Sequence, residues 1–114
     1  MLKITIVLAA IGFSATAAAQ DQRMMQTAEN LLQVCTTADR DSVGYCNGFM
    51  QAVHDFPATT AEIPVACPPQ GTTRTQLVET YVAWATRLST VQPELLEAPA
   101  ILVARNIMAR AYPC

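Results

Sequence analysis

Between residues 24 and 111 apolar side chains recur every three or four positions, and almost nothing alternates with period two. That spacing places apolar residues on one face of an α-helix and predicts an all-α chain. Met24, Ala28, Leu31 and Cys35, flanked by Met25 and Leu32, predict a first helix over 24–35, with Glu29, Asn30 and Gln33 on its outer side. The polar run from Thr36 to Asp41 predicts a turn. Asp41 or Ser42 then caps a second helix whose buried face is Val43, Cys46, Met50 and Val53. Gly44 and Gly48 lie one turn apart in it. Glycine costs about 1 kcal/mol inside a helix, so the pair predicts close approach of another helix.

Pro57 ends the second helix, and Pro64, Pro68, Pro69 and Gly71 keep the chain irregular as far as Thr73. Thr73 and Gln76 have the spacing of a capping box and open a third helix running to about Leu88. Its apolar face is Leu77, Tyr81, Trp84, Ala85 and Leu88, and Trp84, the single tryptophan, is expected in the core. Pro93 suits the first turn of a short segment to Glu97. Pro99 cannot sit deep in a helix, so the last helix is expected from Pro99 to Ala111. Its inner face would be Ala100, Val103, Ala104, Ile107 and Ala111. The expected architecture is a small domain of four helices.

The first nineteen residues follow a different pattern. Lys3 precedes an apolar run from Ile4 to Phe13, and Ala17, Ala18 and Ala19 supply the small side chains of a cleavage site. This predicts an export signal over residues 1–19 and a single domain over 20–114. The run is too short for a membrane span. The expectation is a protein in the periplasm or secreted, with no membrane attachment after cleavage. The 52% hydrophobic content falls to an ordinary globular value once the signal is set aside.

Export changes the reading of the four cysteines, Cys35, Cys46, Cys67 and Cys114. An even set in a small exported domain indicates disulfides. Four cysteines allow three pairings. Cys35 ends the first helix and Cys46 lies in the first turns of the second, so a helical hairpin joins them. Cys67 precedes the third helix and Cys114 follows the fourth, so a second hairpin joins those. The expected bridges are Cys35–Cys46 and Cys67–Cys114. Zinc would need closer ligand pairs than separations of 11, 21 and 47 residues.

Charge excludes more than it proposes. Acidic residues outnumber basic ones nine to seven, and every basic residue after Lys3 is an arginine. No basic stripe interleaved with aromatics exists, which argues against nucleic acid. The lone histidine, His54, stands beside Asp55 near the end of the second helix. There the helix dipole favours an imidazolium, and no activated nucleophile accompanies it. No phosphate loop or dinucleotide fingerprint is present. No catalytic residue, cofactor or metal is expected.

Specific segments do match a known group. Leu31 to Cys35, Tyr45 to Asp55, Cys67-Pro68-Pro69, Thr73 with Gln76-Leu77-Val78, Pro93-Glu94 and the final Ala111-Tyr112-Pro113-Cys114 occur in an order that resembles the Rap/Tai family of type VI secretion amidase immunity proteins. Pro99 departs from the pattern at the start of the last helix. The resemblance implies a periplasmic protein that binds and blocks a peptidoglycan-cleaving amidase toxin, with a homodimer as a further implied feature. An inhibitor of that kind needs a rigid scaffold and a projecting segment. Pro57 to Ala66 is the first candidate, with Phe56, Glu62 and Ile63 as contacts. Arg87 to Glu97 is the second, with Glu94. The alternatives are another exported binding protein without an immunity role or an acid-stress chaperone, in which protonation of the carboxylates opens the fold.

Overall fold

A computed structural model describes residues 26–56 and 65–114. Within them the chain forms α1 (Ala28–Thr36), α2 (Arg40–Asp55), α3 (Arg74–Val91), a 3₁₀ turn (Pro93–Glu97) and α4 (Ala100–Ala111). The all-α expectation holds. The export signal, and Met24 and Met25 of the first expected helix, lie outside the described residues.

Local side chains set most of the boundaries. Thr27 caps α1, its hydroxyl accepting from the Asn30 backbone N–H at 3.2 Å. At the other end the Thr36 and Thr37 hydroxyls donate to the carbonyls of Leu32 and Gln33, at 2.8 and 2.7 Å. These groups would otherwise be orphaned at the helix end. The cap of α2 is Asp39, not Asp41 or Ser42. Ser42 instead occupies the third helical position, where both its backbone N–H (3.1 Å) and its hydroxyl (2.6 Å) donate to the Asp39 carboxylate. The Ser42 hydroxyl, then its N–H, hold that carboxyl below its usual range. The capping box of α3 forms as expected. Gln76 N–H donates to the Thr73 hydroxyl at 3.1 Å and Thr73 N–H to the Gln76 side chain at 2.8 Å. The helix runs past Leu88 to Val91, because nothing interrupts it until Pro93 restricts the residue before it.

Three buried stripes meet in the centre. Leu31 of α1, Cys46, Met50 and Val53 of α2, and Leu77, Tyr81 and Ala85 of α3 all face inward. Ala100, Val103, Ala104, Ile107 and Met108 complete the core from α4, and Leu96 reaches it from the 3₁₀ turn. Ala111 is only half-buried, and Met108 and Ala109 are buried in addition to the expected face. Close helix approach comes from alanines. Ala28, Ala85 and Ala104 are fully covered, whereas Gly44 and Gly48 are exposed and a methyl added at either would touch nothing. The geometry explains this correction. Each glycine stands two residues from Cys46, about 200° around the helix and so opposite its buried face. Val43, at the rim of that face, is also exposed.

Tyr81 links the layers. Its ring is fully buried, and its hydroxyl donates to the Ala28 carbonyl at 2.8 Å. The start of α1 is stitched to the start of α4 as well. Ala28 N–H donates to Ala98 O and Ala100 N–H to Gln26 O, both at 2.9 Å, around a single antiparallel bridge between Thr27 and Pro99. Pro99, having no N–H, serves as the residue before α4 and not as part of it.

Both expected disulfides are present. Cys35–Cys46 closes the α1–α2 hairpin with 5.1 Å between Cα atoms. Cys67–Cys114 ties the approach to α3 to the residues after α4, with 5.0 Å. The second bridge is reinforced by Cys67 N–H donating to Tyr112 O at 2.7 Å and by a 2.8 Å hydrogen bond between the Thr80 and Tyr112 hydroxyls. Before α3, Thr72 N–H donates to Pro69 O, closing a turn whose third residue, Gly71, has φ of 93°. Only glycine adopts that conformation without strain.

Two outcomes follow for stability. In denaturant unfolding, Cys67→Ala/Cys114→Ala should lose about 4 kcal/mol and Cys35→Ala/Cys46→Ala about 3 kcal/mol, since the longer loop loses more entropy when cross-linked. Equal losses would contradict this ordering. Burial also pushes the Tyr81 phenol above its ordinary value of 10.0. The folded state therefore keeps that proton where the unfolded chain has released it. Stability should hold below pH 10 and fall as pH rises beyond it. Tyr81→Phe should lose about 1 kcal/mol at neutral pH and show a shallower alkaline decline.

Candidate partner-binding surface

The described residues hold no group of three or more histidine, cysteine, aspartate or glutamate side chains placed to bind a metal. None of their helices is long and apolar enough to cross a membrane. His54 Nδ1 lies 3.1 Å from the Asp55 carboxylate, with both side chains 47% exposed. His54 and the Gln51 amide hold that carboxyl below its usual range. The pair is a surface contact between sequence neighbours at the end of α2. No hydroxyl or thiol of the described residues hydrogen-bonds to the imidazole.

The surface offers exposed apolar side chains instead. Phe56, the residue that closes α2, is 70% exposed. Its carbonyl accepts from Arg105 Nη2 of α4 at 2.7 Å. The Arg105 Nε is buried and has no hydrogen-bond partner among the described residues. Arg105 thus fixes the point at which the chain leaves α2, a role its place in the sequence does not reveal. Glu62 and Ile63 lie outside the described residues. Val65 and Ala66, at the end of the expected segment, are exposed and half-buried respectively.

Glu94 sits elsewhere, on the exposed side of the 3₁₀ turn. It lines a hollow of about 340 Å³ with Glu29, Ser89 and Glu97. Phe56 thus closes α2, and Glu94 lies on the turn with Glu29 of the first turn of α1 nearby.

On its other flank the same turn borders a groove of about 320 Å³. Trp84 and Leu88 of α3, Leu95 of the turn and Leu102 and Ile107 of α4 line it, with Gln92, Asn106 and Arg110 at polar positions. Trp84 is half-buried and packs against the edge of the core, so the expectation of a core tryptophan is only partly met. A register signal exists in retrospect. Trp84, Leu88, Val91 and Leu95 continue at helical spacing along a second stripe, beside the one that buries Tyr81 and Ala85. A wider, more polar hollow of about 610 Å³ lies on the far side of Trp84, between Pro69–Thr72 and Tyr112.

The family profile of Rap1a immunity proteins matches residues 27–114, from the cap of α1 to the last cysteine. No curated protein and no solved structure matches the chain significantly.

Proposed function

Because this chain belongs to the Rap1a immunity protein family, we propose that it is an exported inhibitor that binds a peptidoglycan amidase effector of type VI secretion and blocks its cleft. Membership carries the coarser reading, immunity against a secreted effector. The amidase as target and the periplasm as location extend it. Two disulfides support an oxidising compartment, and the leader pattern of residues 1–19 supports export.

Inhibition in this form requires no catalytic group. A bound inhibitor that is already ordered loses little conformational freedom, so more of its contact energy appears as affinity. Two covalent bridges and a covered core supply that order. The anchors we assign are Phe56, Glu62 and Ile63 around the α2–α3 connection, with Glu94 on the 3₁₀ turn as a second contact. A large exposed aromatic such as Phe56 is a favourable hot-spot residue. The resemblance to dimeric members extends the proposal to a homodimer, which sedimentation equilibrium checks.

The acid-stress alternative draws no support from buried carboxylates. No charged side chain is buried among the described residues, and their acidic groups are exposed. Proton-linked opening needs carboxylates whose titration differs strongly between folded and unfolded chains.

The test is an assay of a type VI secretion amidase effector on purified peptidoglycan. Stoichiometric protein should abolish cleavage. Phe56→Ala should weaken inhibition by at least tenfold, a typical hot-spot loss, with the circular dichroism spectrum unchanged. Undiminished cleavage in molar excess of the oxidised protein would refute the proposal.

A further inference from the structure

We infer that the groove between α3, the 3₁₀ turn and α4 docks a polypeptide segment of a partner that carries an apolar side chain next to a carboxylate. Leu95 and Leu102 face this groove while 43% and 42% exposed. Covering them removes apolar surface from water, at roughly 25 cal/mol per Å². At about 320 Å³ the groove lies at the small end of the range for binding pockets. That suits a few side chains and not a large ligand.

Charge selects the occupant. Arg110 is the one charged side chain along the groove, and no carboxylate lines it. Among the described residues the single ion pair is His54 with Asp55, so Arg110 pairs with no acid. The acidic groups Glu94 and Glu97 lie with Glu29 in the hollow on the opposite flank of the turn. A guanidinium at the rim of an apolar cleft recognises a carboxylate through charge-assisted, often bidentate, hydrogen bonds. Asn106 offers little competition, since its side-chain amide already donates to Leu102 O at 2.9 Å. A second copy of the chain fits less well. A twofold axis through the groove would set Arg110 against Arg110.

This surface deepens the inhibitor reading and rests on the chain being a protein-binding domain, but its test needs no effector. Trp84 is the only tryptophan and lines the groove, so its emission reports occupancy. The probes are two blocked pentapeptides, one with glutamate beside two leucines and one with lysine in its place. The glutamate peptide should shift Trp84 emission saturably and bind at least tenfold more tightly than the lysine peptide. Arg110→Glu should invert that preference, and Leu102→Ser should weaken both peptides. The absence of a saturable shift, equal response to both peptides, or an unchanged preference in Arg110→Glu would overturn the inference. So would an emission change driven by protein concentration alone, which would assign the groove to a second copy. Peptide binding without amidase inhibition would remove the effector reading and keep the groove; inhibition without peptide binding would do the reverse.

Discussion

The covalent bond between Cys67 and Cys114 fixes the frame on which the α3–α4 half of this protein depends. It encloses α3, the 3₁₀ turn and α4 in one loop spanning 47 positions. Both cysteines are exposed, so the bond contributes by restricting the chain and not by filling the core. Cys67 N–H to Tyr112 O, and the Tyr112 hydroxyl to Thr80, extend that restriction to neighbouring groups. The groove walled by Trp84 and Leu102 lies between the two helices so held. Leu95 of the turn and Ala98 after it complete the lining.

The other half of the molecule is attached by burial and backbone hydrogen bonds. α1 meets the rest through the fully covered Ala28 and Leu31, the Tyr81 hydroxyl and the short ladder to Ala98 and Ala100. α2 is joined to α1 by Cys35–Cys46 and to α4 by the Arg105–Phe56 hydrogen bond. A domain this small covers only about two thirds of its unfolded surface. Cross-links at both hairpins offset that shortfall, and small alanines at the crossings let the helices come close enough to exclude water.

Much of this was legible in the residues, for physical reasons. The capping box at Thr73, the break at Pro93 and the start of α4 at Pro99 are local rules, and each element forms there, α4 one residue later with Pro99 as its cap position. The disulfide pairing followed from two hairpins with cysteines at matching ends. The differences lie where angular position around a helix, and not spacing along the chain, decides burial. The spacing of Gly44 and Gly48 predicts a helix crossing, but both lie on the solvent side. Asp39 outcompeted Asp41 because Ser42 could donate to it twice. Trp84 sits one residue from the buried stripe and so lands at its edge. Among the expected contacts, Phe56 and Glu94 are both exposed. The Leu95–Leu102–Arg110 groove required the third dimension, since its walls come from three elements.

The bundle buries no charged side chain and holds no metal cluster and no nucleophile beside its histidine, all among the described residues. Its central property is rigidity conferred by cross-links, placing exposed side chains where a partner meets them already ordered. The most direct test is to titrate the proposed amidase target with the native protein and with protein whose cystines have been reduced and alkylated, and to compare the inhibition constants. The reduced form should be weaker by at least tenfold, as ordering that the bridges impose in advance would fall on the binding step. Equal inhibition by the two forms would contradict the account.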